Sequence, residues 1–298
     1  MTIIEDFRDY RITNGKSQRT IKDYCYWIQK FFEFTNKPYN ETTMKDVTKF
    51  VQHMQGKKNV PSTINLAISA INSFFDFCND YGIYENKVHY KQIKDKEKKA
   101  RLDKRDTLAP NQFDEFVFKL EDYFREHENF TNARKWVVLH LLIYGVLRKF
   151  EATNLLEKNV ERLPSGLYKI EFIGKGGAWE SCTLPASFQE PYELYLSFKR
   201  KWKFDCPNLL CTFNNKPMYE TAFNNDVDWM TKFTGIDLSL SPHRFRHAGL
   251  NYLKDHDCPP EKVRKAARHK NIKTTMDNYF HNYDNLADQE AATSYFGR

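Results

Sequence analysis

Apolar residues recur at steps of three and four along the first 84 positions, the spacing that places them on one face of a helix. The segment SQRTIKDYCYWIQKFFEF, residues 17–34, begins with a serine that suits a helix N-cap. The segments 43–55 and 62–78 have the same spacing, and Pro61 is placed to begin the second of them. The pattern predicts four helices, or three and a frayed first one, in residues 2–84.

The pattern of the second half adds strands to the helices. Pro110 suits the first turn of a helix, and a strongly apolar stretch predicts a buried helix at 132–148. Two short segments then alternate apolar and polar residues, at 167–173 and 179–185, and the GKGGA between them is typical of a hairpin turn. Helical spacing resumes from Phe188 to the end. The predicted fold class is therefore mainly α with a small antiparallel β-sheet.

A highly charged segment separates the two halves. Residues 91–105 hold eight lysines and arginines against three acids, with almost nothing apolar. Such a run is typical of a solvated linker, and it equally suits a basic strap along DNA phosphates. We therefore predict two domains, 1–90 and 106–298, joined by this linker.

The composition narrows the class of protein. The 298 residues have a formal net charge of +7, most of it in the first 110 positions, which suits a nucleic-acid partner. A hydrophobic content of 41% is enough for ordinary cores and argues against wholesale disorder. The six cysteines show no Cys-x-x-Cys pair and no zinc-finger spacing, so we predict free thiols in a reducing cytoplasm. The longest apolar run, 136–147, is too short to span a bilayer, and the acidic start does not resemble a secretory signal.

The segment SPHRFRHAGL, residues 241–250, places two histidines and two arginines at the predicted start of a helix. His243, Arg246 and His247 stand at i, i+3 and i+4 and so share one face. Backbone N–H groups at a helix N-terminus attract anions, and a guanidinium adds a forked pair of donors. The residues therefore suggest an anion site, although a lone buried histidine or surface arginine more often serves packing or solvation.

Three other segments carry candidate chemistry. In GVLRKFEATNL, Arg148 follows an apolar run and either pairs with Glu151 or meets a ligand, since a buried arginine is costly alone. Lys175, in the GKGGA turn, either is solvated or reaches an external phosphate, and no Walker A loop occurs in the chain. Near the end, His269 precedes Tyr279, which is either a half-buried aromatic or a nucleophile whose phenolate is favoured by nearby arginines.

The order of these residues strongly resembles the catalytic set of the tyrosine recombinase, or phage integrase, family. The set comprises Arg148, Lys175, His243, Arg246, His269 and Tyr279. The resemblance covers nearly the whole chain and implies a helical core-binding (SAM-like) domain, a basic linker and a catalytic domain. Arg268 departs from the glycine that the family usually has before the second histidine, and Phe245 departs from its usual leucine. The ten-residue step from His269 to Tyr279 resembles phage and mobile-element integrases more than the Xer type, in which the step is one residue shorter. The departures leave the subfamily open between an Xer-like and a mobile-element integrase.

The resemblance also implies a mechanism. Tyr279 would attack a DNA phosphate and form a covalent 3′-phosphotyrosyl link, releasing a 5′-hydroxyl. Arg148 and Arg246 would clamp the nonbridging oxygens, for which the bidentate guanidinium is well shaped. No ATP, metal or other cofactor is implied. The remaining roles belong to Lys175, which would protonate the leaving oxygen, to His243, which would accept the tyrosine proton, and to His269, which would hydrogen-bond the phosphate.

The implied partner is double-stranded DNA, bound by a tetramer on two sites, with no membrane association. The tail NLADQEAATSYFGR, residues 285–298, is predicted to form a short helix that docks on an adjacent subunit or folds back on its own domain. Two alternatives stay open at this point. One is a type IB topoisomerase, which works as a monomer on one duplex, and the other is a non-catalytic DNA-binding protein whose helix at 243–255 reads DNA. In each case we expect a cytoplasmic, nucleoid-associated protein.

Overall fold

The computed structural model describes residues 3–83, 108, 110–174, 177–235, 240–269 and 271–279, with the backbone alone at 110, 111 and 277–279. The chain divides into two compact units, Met1–Arg101 and Leu102–Arg298. Each unit has an apolar core of its own. The basic linker predicted at 91–105 lies outside the described residues.

The described part of the first unit, residues 3–83, contains four α-helices, as the apolar spacing predicts. They are α1 (Ile3–Thr13), α2 (Gln18–Thr35), α3 (Met44–Gly56) and α4 (Pro61–Asp80). Ser17 caps α2, because its hydroxyl oxygen accepts a hydrogen bond from the Thr20 amide at 3.2 Å. Asp46 closes the start of α3, where its carboxylate accepts from the Thr43 amide at 3.0 Å. Both predicted helix starts, at Ser17 and Pro61, are confirmed.

Aromatic side chains fill the core of the first unit. Phe7, Phe31, Phe50 and Phe74 come from α1, α2, α3 and α4 in turn, and all four are buried. Their rings meet edge to face, with centroids 5.8 Å apart for Phe7 and Phe74 and 5.5 Å apart for Phe31 and Phe50. Because each helix contributes a ring to one cluster, the four helices share a single core.

The second unit combines helices with a small antiparallel sheet. Its helices are α5 (Pro110–Glu126), α6 (Phe130–Ile143), α7 (Lys149–Thr153), α8 (Gln189–Lys201), α9 (Glu220–Thr234), α10 (Pro242–Asp255), α11 (Pro260–Ala267) and α12 (Ile272–Tyr279). Its strands are β1 (Val160–Arg162), β2 (Tyr168–Ile173) and β3 (Trp179–Leu184), paired in chain order. Strands β2 and β3 form the predicted hairpin, in which Tyr168 lies opposite Leu184. The sequence pattern does not predict β1, because three residues are too few to show an alternation. The predicted fold class is confirmed.

The apolar helix α6 lies at the centre of the second unit, where α5, α8, α9 and α10 pack around it. All of its residues except Thr131 are buried. The charge of Arg134 within it is balanced by Asp226 on α9, with Nε 2.8 Å from Oδ2 and Nη2 3.0 Å from Oδ1. The helix therefore supports the elements that carry the candidate site.

The helix predicted at 132–148 is wrong at its C-terminal end, because α6 stops at Ile143. The chain then turns through Val146, whose φ of +48° lies in the left-handed region that β-branched residues rarely adopt. The Leu147 amide closes the turn by donating to a carbonyl of α6 at 3.0 Å. The turn takes Arg148 out of the buried helix and places it at the start of α7.

Gly249 lets α10 lie directly against the end of α6. A Cβ atom at this position would overlap the backbone carbonyl of Ile143, which cannot rotate away. We expect Gly249→Ala to lower the free energy of unfolding by at least about 1–3 kcal/mol, the usual cost of overpacking. Chemical denaturation measures the loss. Gly56→Ala is the control, because a Cβ there meets open space, and equal losses in the two variants would contradict the close approach.

Three further observations on the described part of the chain concern membrane spans, metal ligands and thiols. No helix there is both long and apolar enough to cross a membrane. Nor do the described histidines, cysteines and acids form a cluster of three or more that could hold a metal ion. All six cysteines are free thiols, as predicted.

Candidate active site

Arg148 is the N-cap residue of α7. Its backbone is extended (φ −75°, ψ 153°), and its amide donates to the Glu151 carboxylate at 2.8 Å. Its guanidinium donates to the same carboxylate, with Nη1 2.6 Å from Oε1. The Glu151 side chain is only 1% exposed, whereas that of Arg148 is 35% exposed. The ion pair therefore forms, and it leaves part of the Arg148 side chain accessible to a ligand.

Arg246 is buried on α10, the helix that begins at Pro242 as predicted. Its guanidinium donates to two backbone carbonyls, from Nη1 to Val146 and from Nη2 to Ala267. Val146 belongs to the turn that precedes Arg148, and Ala267 is the last residue of α11. These contacts bring the second arginine to the turn that presents the first.

His243 and His247 lie one helical turn apart on α10 and contact each other, in keeping with their predicted shared face. Their Nε2 atoms are 2.9 Å apart, so one ring donates a hydrogen bond and the other accepts it. Burial, with the positive charges of Arg246 and Arg148, lowers the pKa of His243. Burial and the neighbouring His243 lower the pKa of His247 to about 4. Both rings are therefore neutral at pH 7. His247 is a hydrogen-bond partner of His243, a role that was not predicted from the sequence.

His269 follows α11 and is oriented by α12. Its Nδ1 atom lies 2.9 Å from the hydroxyl of Thr275, which is fully buried. This hydrogen bond fixes the orientation of the ring. Burial and the charges of Arg246 and Arg148 lower the pKa of His269 to about 4. Thr275 could not be identified from the sequence, because no pattern distinguishes it from the adjacent Thr274.

Four residues of the predicted set thus share one region of positive charge. The charges of Arg148 and Arg246 both act on the rings of His243 and His269, although the residues come from α7, α10 and the loop after α11. The histidines are kept neutral, so the arginines carry the charge that an anion would meet. The arrangement is suited to binding a phosphate between guanidinium donors and neutral imidazoles.

The other two residues of the predicted set are located by their elements alone. Lys175 lies outside the described residues, in the turn between Gly174 and Gly177. The Gly174 amide donates to the Ala178 carbonyl at 2.8 Å and so closes the base of this turn. Tyr279 is the last residue of α12, which packs against α10 and α11. The Tyr279 side chain lies outside the described residues.

The lowered pKa values of the histidines make stability depend on pH. A histidine in the unfolded chain titrates near 6.5, whereas His247 and His269 have folded pKa values of about 4. Between these values the unfolded chain binds more protons, so the free energy of unfolding falls as the pH falls from about 6.5 to about 4. We expect His247→Gln to flatten this dependence, as measured by urea denaturation at several pH values. Exposed His53 is the control, and an equally flat profile for His53→Gln would contradict the assignment.

Two family models match the chain. Residues 3–80 match "Phage integrase, N-terminal SAM-like domain", and residues 107–285 match "Phage integrase family". Among curated relatives, the tyrosine recombinase XerA of Pyrococcus horikoshii is 24% identical over 277 residues, which cover 92% of this chain and 87% of that protein. The tyrosine recombinase XerC of Rickettsia bellii is 24% identical over 278 residues, which cover 87% of this chain and 85% of that protein.

Solved structures share the fold of the chain. The XerH site-specific recombinase bound to palindromic difH substrate, in a post-cleavage complex, superposes with a TM-score of 0.75 at 19% identity, covering 92% of this chain and 79% of that one. A lambda integrase dimer bound to a COC′ core site gives a TM-score of 0.67 at 12% identity, covering 91% of this chain and 95% of that one. With family models matching both halves, the chain belongs to the phage integrase family of tyrosine recombinases, enzymes that cut and rejoin DNA strands.

Proposed function

We propose that this chain is a site-specific recombinase that cuts and rejoins DNA through a covalent 3′-phosphotyrosyl intermediate on Tyr279. The observation that carries the proposal is the meeting of Arg148 and Arg246 at one turn, beside histidines that are neutral at pH 7. Two guanidinium groups in such a place bind a phosphodiester and stabilise charge as it develops. Helix α12, which ends at Tyr279, packs on α10, which carries His243 and Arg246, and on α11.

The arginines would stabilise the transition state. Negative charge grows on the nonbridging oxygens as the tyrosine oxygen approaches phosphorus, and each guanidinium can donate two hydrogen bonds in a fixed plane. Arg246 is held by backbone carbonyls and Arg148 by Glu151, so the donors need little reorganisation during the reaction. Loss of one such donor typically costs about 100- to 1000-fold in rate.

The other residues of the set would move protons and orient the phosphate. The Tyr279 oxygen forms its bond to phosphorus while its proton passes to His243, and the P–O5′ bond breaks as Lys175 protonates the leaving oxygen. His269 hydrogen-bonds the phosphate. The lowered pKa of His243 suits its role, since a neutral imidazole can accept a proton at pH 7. The phosphodiester energy stays in the tyrosyl bond, so a second 5′-hydroxyl can reverse the step without ATP.

A nicked suicide substrate tests the proposal. Cleavage beside the nick releases a short strand that diffuses away, so the covalent complex accumulates. The substrate is chosen from a duplex library by binding to the protein. We expect a DNA adduct on Tyr279, seen on a denaturing gel and located by peptide mass, without ATP. A duplex that binds tightly yet forms no adduct would overturn the proposal.

The proposed partner is double-stranded DNA, held by an N-terminal domain at 1–90 and a catalytic domain at 106–298. The linker at 91–105 would lie along the phosphates, where its lysines and arginines release bound counterions. The XerH and lambda integrase structures contain DNA sites, which supports this choice of partner. A DNA substrate also supports a cytoplasmic, nucleoid-associated location. The named relatives are recombinases and integrases, which favours strand exchange over a topoisomerase or a non-catalytic role.

Strand exchange would need four protomers on two DNA sites, so neighbouring copies have to be joined. We assign this role to the tail at 285–298, which lies outside the described residues. Leu286 and Phe296 supply apolar side chains for docking on an adjacent protomer. A chain that ends before Leu286 should still bind one site but fail to form a tetramer on two, as measured by light scattering of the DNA complexes. A tetramer that survives the truncation would exclude this role.

A further inference from the structure

Arg268 has a backbone conformation that favours glycine. It is the C-cap of α11, with φ +55° in the left-handed region. A side chain costs roughly 1–2 kcal/mol in this region, whereas glycine adopts it freely. The chain nevertheless carries a long, charged side chain here. Because this backbone conformation is unfavourable for arginine, we expect the Arg268 side chain to have a role that glycine could not fill.

The Arg268 side chain packs against groups of the candidate site, which leaves 9% of it exposed. Its Nη2 atom donates to Glu151 Oε2 at 2.8 Å and to the Val146 carbonyl at 2.8 Å. Glu151 is the carboxylate that holds Arg148, and Val146 is the strained residue of the turn before it. Arg268 therefore supports the first arginine through its carboxylate and through its backbone.

A second set of Arg268 contacts reaches the hairpin that carries Lys175. The guanidinium lies over the Phe172 ring on β2, 4.9 Å from its centroid, and Nε is 3.1 Å from Glu180 Oε2 on β3. The Glu180 carboxyl group in turn lies against Gly174, where an added Cβ would come within 2.5 Å of it. Gly174 directly precedes Lys175. The ion pair therefore lies at the base of the turn whose sequence contains Lys175.

We propose that Arg268 is a positioning residue for strand cleavage. It offsets the negative charges of Glu151 and Glu180, which would otherwise repel a phosphate beside them. It also joins the Lys175 hairpin to the Arg148 turn. Without Arg268, the Glu151 carboxylate has Arg148 as its remaining guanidinium partner and draws it away from the phosphate oxygens. This inference rests on the proposed function, because it takes Arg148 and Lys175 as groups that act on the phosphate.

Single-turnover cleavage of the nicked substrate by Arg268→Gly tests the inference in the full-length chain. Glycine keeps the left-handed backbone without strain, and Arg268→Asn is a second variant because asparagine also tolerates that conformation. We expect cleavage to slow by about 10- to 100-fold, as a misplacement of about 1 Å can cause, with DNA affinity near the wild-type value. Lys262→Ala, which removes an exposed charge from the same helix, is the control for charge alone.

The second-site variant Glu180→Gln separates charge balance from simple packing. In the Arg268→Gly background it removes the Glu180 charge that has lost Arg268 as its partner, so part of the lost rate should return, while the effect of Glu151 on Arg148 remains. A wild-type rate in Arg268→Gly and Arg268→Asn would overturn the inference. A slow variant that Glu180→Gln does not rescue would also overturn it, since removing a charge cannot replace lost packing. Failure of the proposed function is distinguishable, because the wild-type protein itself would then form no adduct on Tyr279, and the inference would fall with it.

Discussion

Replacing Tyr279 by phenylalanine should abolish the covalent adduct with nicked DNA while DNA affinity stays near the wild-type value. Phenylalanine lacks only the oxygen that would attack phosphorus. Loss of a catalytic nucleophile costs up to about a million-fold in rate, so no adduct above background is expected. A denaturing gel measures the adduct, and a gel shift at fixed salt measures the affinity.

Tyr283→Phe is the matched control, because it makes the same change four residues further on. This variant should form the adduct as the wild-type chain does. An adduct that persists in Tyr279→Phe and disappears in Tyr283→Phe would mean that the register of the predicted set is wrong. If neither tyrosine ever becomes linked to DNA, the chain binds DNA without cutting it.

Replacing Arg148 by alanine should slow strand cleavage by about 100- to 1000-fold, the cost of losing one donor to a developing oxyanion. The side chain is partly exposed and is already oriented by Glu151, so the guanidinium is in place before the substrate arrives. Single-turnover cleavage at saturating protein measures the rate, which separates the chemical step from DNA binding.

Lys149→Ala is the control for the loss of a positive charge beside Arg148. The Lys149 amine lies 2.9 Å from Glu220 at the protein surface, and such a pair contributes little to stability. This variant should cleave at close to the wild-type rate. Equal losses in the two variants would mean that the site uses local positive charge rather than the Arg148 guanidinium.

The elements that sequence analysis predicts correctly have ends marked by single residues. Ser17 caps α2, Pro61 begins α4 and Pro242 begins α10. The hairpin of β2 and β3 follows from alternation and from the glycines between the strands. All of these features depend on hydrogen bonds and shared faces between residues a few positions apart. A local sequence pattern is therefore enough to predict them.

The candidate site could be predicted as a set of residue types but not as a geometry. The order of the basic residues indicates phosphate chemistry, and the spacing on α10 predicts that His243 and His247 share a face. Two features of the site have no counterpart in any periodic pattern. They are the hydrogen bond between Thr275 and the His269 ring and the position of Arg268 between Glu151 and Glu180.

The four helices of the first unit, the hairpin of β2 and β3, the residue types of the site and the resemblance to the family could all be predicted from the sequence. The end of α6 and the left-handed backbone conformations of Val146 and Arg268 are set by tertiary contacts. These contacts join residues that are far apart in the chain. The Val146 carbonyl is held by Arg246 and Arg268, which are 100 and 122 positions away. The spacing of neighbouring residues predicts which face of an element is buried. A strained turn, in contrast, is stabilised by residues that are distant in the chain and come close only in the folded protein.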